Sequence, residues 1–264
     1  MEDLKEKVHD YWNAETCGSQ FGEGEKFSKE YFDIIEKDRY DKEPEIKEFA
    51  NFSEGKDKKV LEVGVGAATD FLQWARSGAK LNGIDLTPQA IEHARHRLAL
   101  YGFAAESLQV SDAENLPFED NQFDIVYSWG VIHHSPNTMQ ALKEIIRVLK
   151  SGGKAKIMIY NRHSYLTYFF WVKHALLKFK WNLSLADVLW NNMESYGTKG
   201  YTVKEIETAL SKEPVVNGKV FTYYTYYDKM ERHGFLLSNF AKITAAIFGK
   251  KDKGWFLCFT FQKS

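Results

Sequence analysis

The stretch VLEVGVGAATD, residues 60–70, decides how the rest of the chain is read. Val60-Leu61-Glu62-Val63 is short and mostly apolar, as a buried strand would be, and it ends in Gly64-Val65-Gly66. Glycines at a strand end let the backbone turn tightly and approach a ligand closely, and the helix that follows offers unpaired amide groups. That helix carries Phe71, Leu72, Trp74 and Ala75 on one side and stops near Gly78.

Outward from this turn the same alternation continues to Tyr160. Leu81 to Asp85 reads as a second strand. Thr87 and Pro88 then form an N-cap and first-turn pair, opening a helix with Ile91, Ala94, Leu98 and Tyr101 at helical spacing before Gly102. Ser107 to Val110 is a third strand, leading into Ser111-Asp112-Ala113-Glu114. Phe123 to Tyr127 is a fourth, followed by a helix presenting Leu142, Ile145, Ile146 and Leu149 that ends at Gly152-Gly153. Ala155 to Tyr160 is a fifth. Strands alternating with helices at this spacing predict a doubly wound, Rossmann-like α/β sheet rather than a closed barrel.

Residues 1–55 read as amphipathic helices, with Leu4, Val8, Tyr11 and Trp12 on one face, and are expected to form a lid. Residues 161–200 form an aromatic helical insertion after strand five, expected to cap a substrate. Residues 201–264 carry a helix near Thr202 to Leu210 and two strands, Lys219 to Tyr227 and Trp255 to Phe261, bringing the sheet to seven. Together with the core at 56–160 these are read as one domain.

Composition narrows the function. The 264 residues carry 35 basic and 36 acidic side chains, a net charge of -1, so no overall field draws the chain to nucleic acid or to an anionic membrane. The two cysteines, Cys17 and Cys258, are far apart and no Cys/His spacing suits a metal, so no metal site is expected. The opening MEDLKEKVHD lacks an apolar signal core, and the chain is expected to be cytoplasmic, with Cys17 a small buried side chain. Aromatic residues make up 15% and cluster mainly outside the central region, which reads as core filling under peripheral helices, with binding of a flat or apolar ligand as the alternative.

Two cofactor classes fit a glycine turn with an acid beyond it. Asp85 follows Gly64 by 21 residues, a spacing suited to a ribose-binding acid, but the third glycine of a dinucleotide fingerprint is absent. A tight turn without any ligand would explain the glycines but not the acids.

Taken in order, VLEVGVGAATD, GIDLTPQAI, SDAENLPFEDNQFDIVYSWGVIHH and VLKSGG resemble the motifs of class I S-adenosylmethionine-dependent methyltransferases, most closely the small-molecule, type 11-like branch. The resemblance spans residues 58–160. It implies that S-adenosylmethionine is the cofactor, S-adenosylhomocysteine the product, and a small molecule the methyl acceptor. By position, Glu62 and the Gly64-Val65-Gly66 turn would meet the amino-acid end of the cofactor. Asp85 would accept from the ribose hydroxyls, with Leu86 against the adenine. Asp112 would accept from the adenine amino group beside Ala113 and Glu114, and Ser128, Trp129 and Gly130 would lie near the methyl donor. Ala68 stands where the family often has a third glycine. YSWG replaces the NPPY-like tetrapeptide of enzymes that methylate nucleobase or glutamine nitrogens, which leaves oxygen, aliphatic nitrogen, carbon and sulfur acceptors open.

His133 and His134 follow strand four, where a general base would stand, and the resemblance favours His134. Tyr160, Asn161 and Arg162, just past strand five, and Tyr11 and Trp12 in the lid are candidate substrate contacts. Three rival readings stand beside this one. Tyr165 to Val172 with Lys173, Lys178 and Lys180 also suits a membrane-surface enzyme acting on a lipidic or quinone-like substrate. A non-catalytic S-adenosylmethionine-binding scaffold and a nicotinamide enzyme are the others. Sequence leaves the oligomeric state open.

Overall fold

The computed structural model describes residues 2–231 and 234–264. Seven strands form one sheet: β1 (Lys59–Val63), β2 (Lys80–Asp85), β3 (Ser107–Val110), β4 (Phe123–Trp129), β5 (Leu149–Tyr160), β6 (Val215–Tyr223) and β7 (Phe256–Lys263). Their spatial order is β3-β2-β1-β4-β5-β7-β6, and strand order reverses between β1 and β4. The first five pair in parallel, while β7 runs antiparallel to both β5 and β6.

Both faces of the central strands are covered, which is why β1 and β4 are mostly apolar on both sides. Val60 and Ile125 face a cluster with Phe71, Leu72 and Trp74 of α4 (Thr69–Arg76) and Ile91 and Leu98 of α5 (Pro88–Leu100). Leu61 and Val126 face the opposite cluster, with Leu142 and Ile145 of α6 (Thr138–Val148) and Ile206 and Leu210 of α9 (Val203–Leu210). Thr87 caps α5 by accepting from the Ala90 amide, with Pro88 in the first turn, as its sequence predicts.

Before the sheet come α1 (Glu2–Ala14), α2 (Lys29–Lys42) and α3 (Glu45–Ala50). The insertion after β5 holds α7 (Tyr165–His174), a single 3₁₀ turn at Leu176–Lys178 and α8 (Leu185–Asn192).

Three details depart from the sequence reading. β5 starts at Leu149 rather than Ala155, because the chain pairs with Phe123 before the irregularity around Gly152, where φ is 74°. β6 covers Val215–Tyr223 rather than Lys219–Tyr227. Its predicted end is a turn, since the Thr225 amide and hydroxyl both donate to buried Asp228. A helix the reading omitted, α10 (Phe235–Phe248), lies between β6 and β7. Its largely apolar sequence has only Ser238, Asn239, Lys242 and Thr244 as polar residues, too few to mark a helical face.

Candidate active site

Three carboxylates gather at the carboxyl ends of neighbouring strands. Glu62 lies in β1, Asp85 closes β2 and Asp112 stands just beyond β3. These strands are adjacent, and with about 4.8 Å between strands the three groups are spread over about 10 Å. The site therefore sits beside the β1/β4 reversal, where open α/β sheets bind ligands.

The glycine turn is shaped by these acids. Gly64 and Gly66 have φ of 83° and 49°, and Ala68 follows at 59° as the N-cap of α4. The amides of Gly64 and Val65 donate to the Ile84 carbonyl, at 2.8 and 3.2 Å. The Gly66 amide donates to Asp85 Oδ2 at 3.0 Å, and the Thr87 amide and hydroxyl donate to Asp85 Oδ1 at 3.0 and 3.1 Å. Asp85 is partly open at its own surface but walled in by protein, and that desolvation raises its pKa against the pull of the amides. From above, the Cys17 carbonyl accepts from the Ala67 amide at 3.2 Å, so residues 16–18 lie over the turn. A Cβ on Gly66 would stand 3.2 Å from that carbonyl oxygen.

Glu62 is buried, and its Oε2 has no hydrogen-bond partner among the described residues. Burial, and next the charge of Asp70, hold its carboxyl well above the usual range. An unpaired buried carboxylate oxygen is costly, so the site is chemically suited to a cationic donor there. Asp112 has a different surrounding. Its Oδ2 accepts from the Lys5 ammonium of α1, and its Oδ1 from the Glu114 amide at 2.9 Å.

A network of aromatic hydroxyls and charges forms the next wall. Asp70 accepts from Arg39 Nε and Nη2 at 3.1 and 2.7 Å, from Tyr40 at 3.0 Å and from Tyr127 at 2.9 Å. One carboxylate thus joins α2, α4 and β4. Glu43 accepts from Trp129 Nε1 at 3.0 Å and from the Tyr227 hydroxyl at 2.9 Å. Burial raises the Glu43 pKa, with Arg39 opposing. Tyr160 donates to Glu194 at 3.0 Å and stacks on Trp255, ring centroids 4.1 Å apart.

Residues 61–157 match the family described as a methyltransferase domain. Over this stretch the chain is similar to methyltransferase domains, and its seven-stranded sheet has the fold of solved ones. Over 95 residues it is 36% identical to sterol 4-C-methyltransferase strm-1 of Caenorhabditis elegans, covering 36% of this chain and 28% of that protein. Over 108 residues it is 37% identical to the chloroplastic tocopherol O-methyltransferase of Arabidopsis thaliana, covering 40% and 31%. The aligned region thus spans about a third of the length of these relatives. A similar fold is seen in Haemonchus contortus phosphoethanolamine N-methyltransferase 2, solved with phosphomonomethylethanolamine and S-adenosylhomocysteine. That likeness has a TM-score of 0.56 and 20% identity, covering 83% of this chain and 51% of that one.

The fold brings most of the sequence-predicted residues to one end of its sheet. Glu62, Gly64, Val65, Gly66, Asp85, Leu86, Asp112, Ala113 and Glu114 occupy the ends of β1 to β3 and the turns that follow. Ser128, Trp129 and Gly130 end β4, with the Ser128 hydroxyl donating to the Val63 carbonyl at 3.1 Å. Trp12 of α1 lies edge-on to His134, centroids 5.3 Å apart, while neighbouring Tyr11 is exposed. Asn161 and Arg162 have other partners. Asn161 Nδ2 donates to the carbonyls of Asp252 and Gly254, and Arg162 pairs with Glu205 at 2.6 Å. Cys17 corrects the sequence expectation: its surface is exposed, because it lies on the segment crossing the glycine turn. Dense protein around that opening still pushes its thiol up to about 12.

The two histidines are both buried. His134 Nδ1 lies 2.8 Å from Ser195 Oγ and 3.1 Å from Thr198 Oγ1, and neither ring nitrogen of His133 has a partner among the described residues. Burial lowers His134 to about 3 and His133 well below its ordinary value. An imidazole in that setting is neutral at pH 7 but a weak proton acceptor.

Sequence reasoning missed Lys5, Arg39, Glu43, Asp70 and Glu194. Asp70 closes the opening motif and could have been flagged by its place in the first turn of α4. The others are charged residues within charged or polar segments, with nothing local to mark them. Among the described residues no group of three His, Cys, Asp or Glu side chains could hold a metal.

Proposed function

We propose that this chain is an S-adenosylmethionine-dependent methyltransferase acting on a small-molecule acceptor. The observation that carries the reading is the unpaired, buried oxygen of Glu62, set in line with Asp85 and Asp112 across three adjacent strands. Glu62 would receive the ammonium of the cofactor's amino-acid end, a charge-assisted pairing, beside the Gly64-Val65-Gly66 backbone. Asp85 Oδ2 keeps one lone pair beyond the one used by the Gly66 amide, and would accept from a ribose hydroxyl, with Leu86 against the base. Asp112, flanked by Ala113 and Glu114, would take the adenine amino group, sharing its carboxylate with Lys5 or releasing it. When bound, S-adenosylmethionine supplies an electrophilic methyl group on a positively charged sulfur.

For the chain's own residues the task is alignment and exclusion of water. Ser128, Trp129 and Gly130 form the floor, and Tyr160 with His133 and His134 an aromatic wall, centroids of His133 and Tyr160 4.0 Å apart. Trp12 brings α1 onto that wall. Because burial makes both histidines weak bases, we assign them to positioning the acceptor rather than to abstracting its proton. The relatives named for a sterol and a tocopherol support an apolar or amphiphilic acceptor against this aromatic lining.

Calorimetric titration of the purified chain with S-adenosylmethionine, with NAD as control, tests the cofactor. Saturable S-adenosylmethionine binding, weakened about tenfold or more by Asp85→Ala, is expected, since a hydrogen bond to a charged group contributes about 1.5–3 kcal/mol. Binding of NAD instead, or of neither compound, would overturn the reading.

A further inference from the structure

We propose that the outer faces of α7, the 3₁₀ turn after it and α10 form one docking surface for an anionic lipid bilayer. This does not depend on the methyl-transfer reading. The first observation is that α10 is inside out. Its small side chains Ser238, Ala241 and Ala245 are buried, while Phe235, Ile243, Ile247 and Phe248 are 59–79% exposed. A helix packing only against its own domain would show the opposite.

The turn after α7 repeats the pattern. Leu177, Phe179 and Trp181 are 69%, 83% and 66% exposed. The two elements are neighbours. Tyr165, at the start of α7, donates to the Gly249 carbonyl at the end of α10 at 2.6 Å, and Lys253 Nζ lies 5.9 and 5.7 Å from the rings of Tyr165 and Phe248. Beneath, Leu166, Phe170, Ala175 and Ala241 belong to one buried cluster. Tyr168, Val172 and Leu176, 39–42% exposed at helical spacing from α7 into the turn after it, link the two sets of exposed apolar groups.

Charge selects the occupant. Residues 163–186 and 234–251 contain no aspartate or glutamate, in a chain whose net charge is -1. They contain Lys173, Lys178, Lys180, Lys242, Lys250 and Lys251, all exposed. Lys242 pairs with Glu231 at 3.5 Å, and Lys250 lies 4.8 Å from the Tyr224 ring. Protein–protein interfaces are depleted of lysine, whereas lysines interleaved with aromatic and aliphatic groups suit the headgroup boundary of an anionic bilayer. Among the described residues no helix is long and apolar enough to cross a membrane, so the contact is a surface one.

The test is co-sedimentation of the chain with vesicles of phosphatidylcholine alone or mixed with phosphatidylglycerol. The wild type is expected to pellet with the mixed vesicles about tenfold more than with the neutral ones, less so at high salt. Ile243→Asp/Ile247→Asp and Phe179→Asp/Trp181→Asp change only exposed side chains and are expected to stay in the supernatant. Their S-adenosylmethionine affinity should match that of the wild type, whatever that affinity proves to be. Wild-type protein that ignores anionic vesicles, or variants that pellet like wild type, would refute the proposal. So would a wild-type dimer that Ile243→Asp/Ile247→Asp dissociates, since the face would then meet a second copy.

Discussion

Gly64→Ala tests how tightly the glycine turn is held. Gly64 has φ 83°, a conformation that L side chains disfavour by about 1–2 kcal/mol. A Cβ there would also stand 2.3 Å from Val131 Cγ2 and 2.6 Å from Cγ1, far inside contact distance. Overpacking of this kind costs about 1–3 kcal/mol, so the substitution is expected to destabilise the fold by about 2–5 kcal/mol in all. With about 2–4 °C per kcal/mol for a chain of this size, the midpoint of thermal unfolding should fall by about 4–20 °C. The two causes can be separated. Val131→Ala removes the two closest atoms, keeping only Cβ at 2.9 Å, and leaves the backbone strain, so the double variant should be more stable than the sum of the singles by about 1–3 kcal/mol. Thermal melts and urea unfolding of all four proteins measure this. A Gly64→Ala protein within about 0.5 kcal/mol of wild type, or strictly additive single effects, would refute the account of the turn.

Arg97→Met addresses the buried guanidinium that donates to the carbonyls of Ala67 and Phe32, to the Thr69 hydroxyl and to Glu36. Glu36 keeps Arg76 and Gln73, but the other acceptors lose their donor in a dry site, and a loss of about 3–5 kcal/mol in urea unfolding is expected. Stability should also fall in acid because of His134. Its folded pKa is about 3 against 6.5 unfolded, so between these values the unfolded chain binds more protons. The contribution is full above pH 6.5 and is lost as pH falls, by about 2 kcal/mol at pH 5. Urea midpoints at pH 7.5 and pH 5 should therefore differ less for His134→Gln than for wild type, and equal differences would contradict the assignment.

Much of the sheet was legible because β1 and β4 are short, mostly apolar runs and the strands between and after them recur at regular spacing closed by turn residues, and those cues are local. Ser107 to Val110 is a strand as read, and Asp85 ends the second one. Legibility faded where the signal became long-range. Thr225 to Tyr227 have strand-like composition, yet Asp228 captures the Thr225 amide and bends the chain away. The acids at the strand ends could be located from sequence, but their partners could not. Lys5 reaches Asp112 across 107 residues, and Tyr227 reaches Glu43 across 184. Nor does histidine's ordinary affinity for protons survive the burial that folding imposes on His133 and His134.

The antiparallel strand has a bearing on how the chain is made. Strands β1 to β5 pair in parallel with one another, β5 alone also meeting β7, so that half can assemble while synthesis continues. β6 is different. It touches the sheet only through β7, which emerges after it and after α10. During that interval the nascent chain presents β5 as an open edge and β6 as an unpaired one, alongside the apolar helix α10. The ligand-binding half would be the first part able to fold, and the apolar half the one most in need of a chaperone.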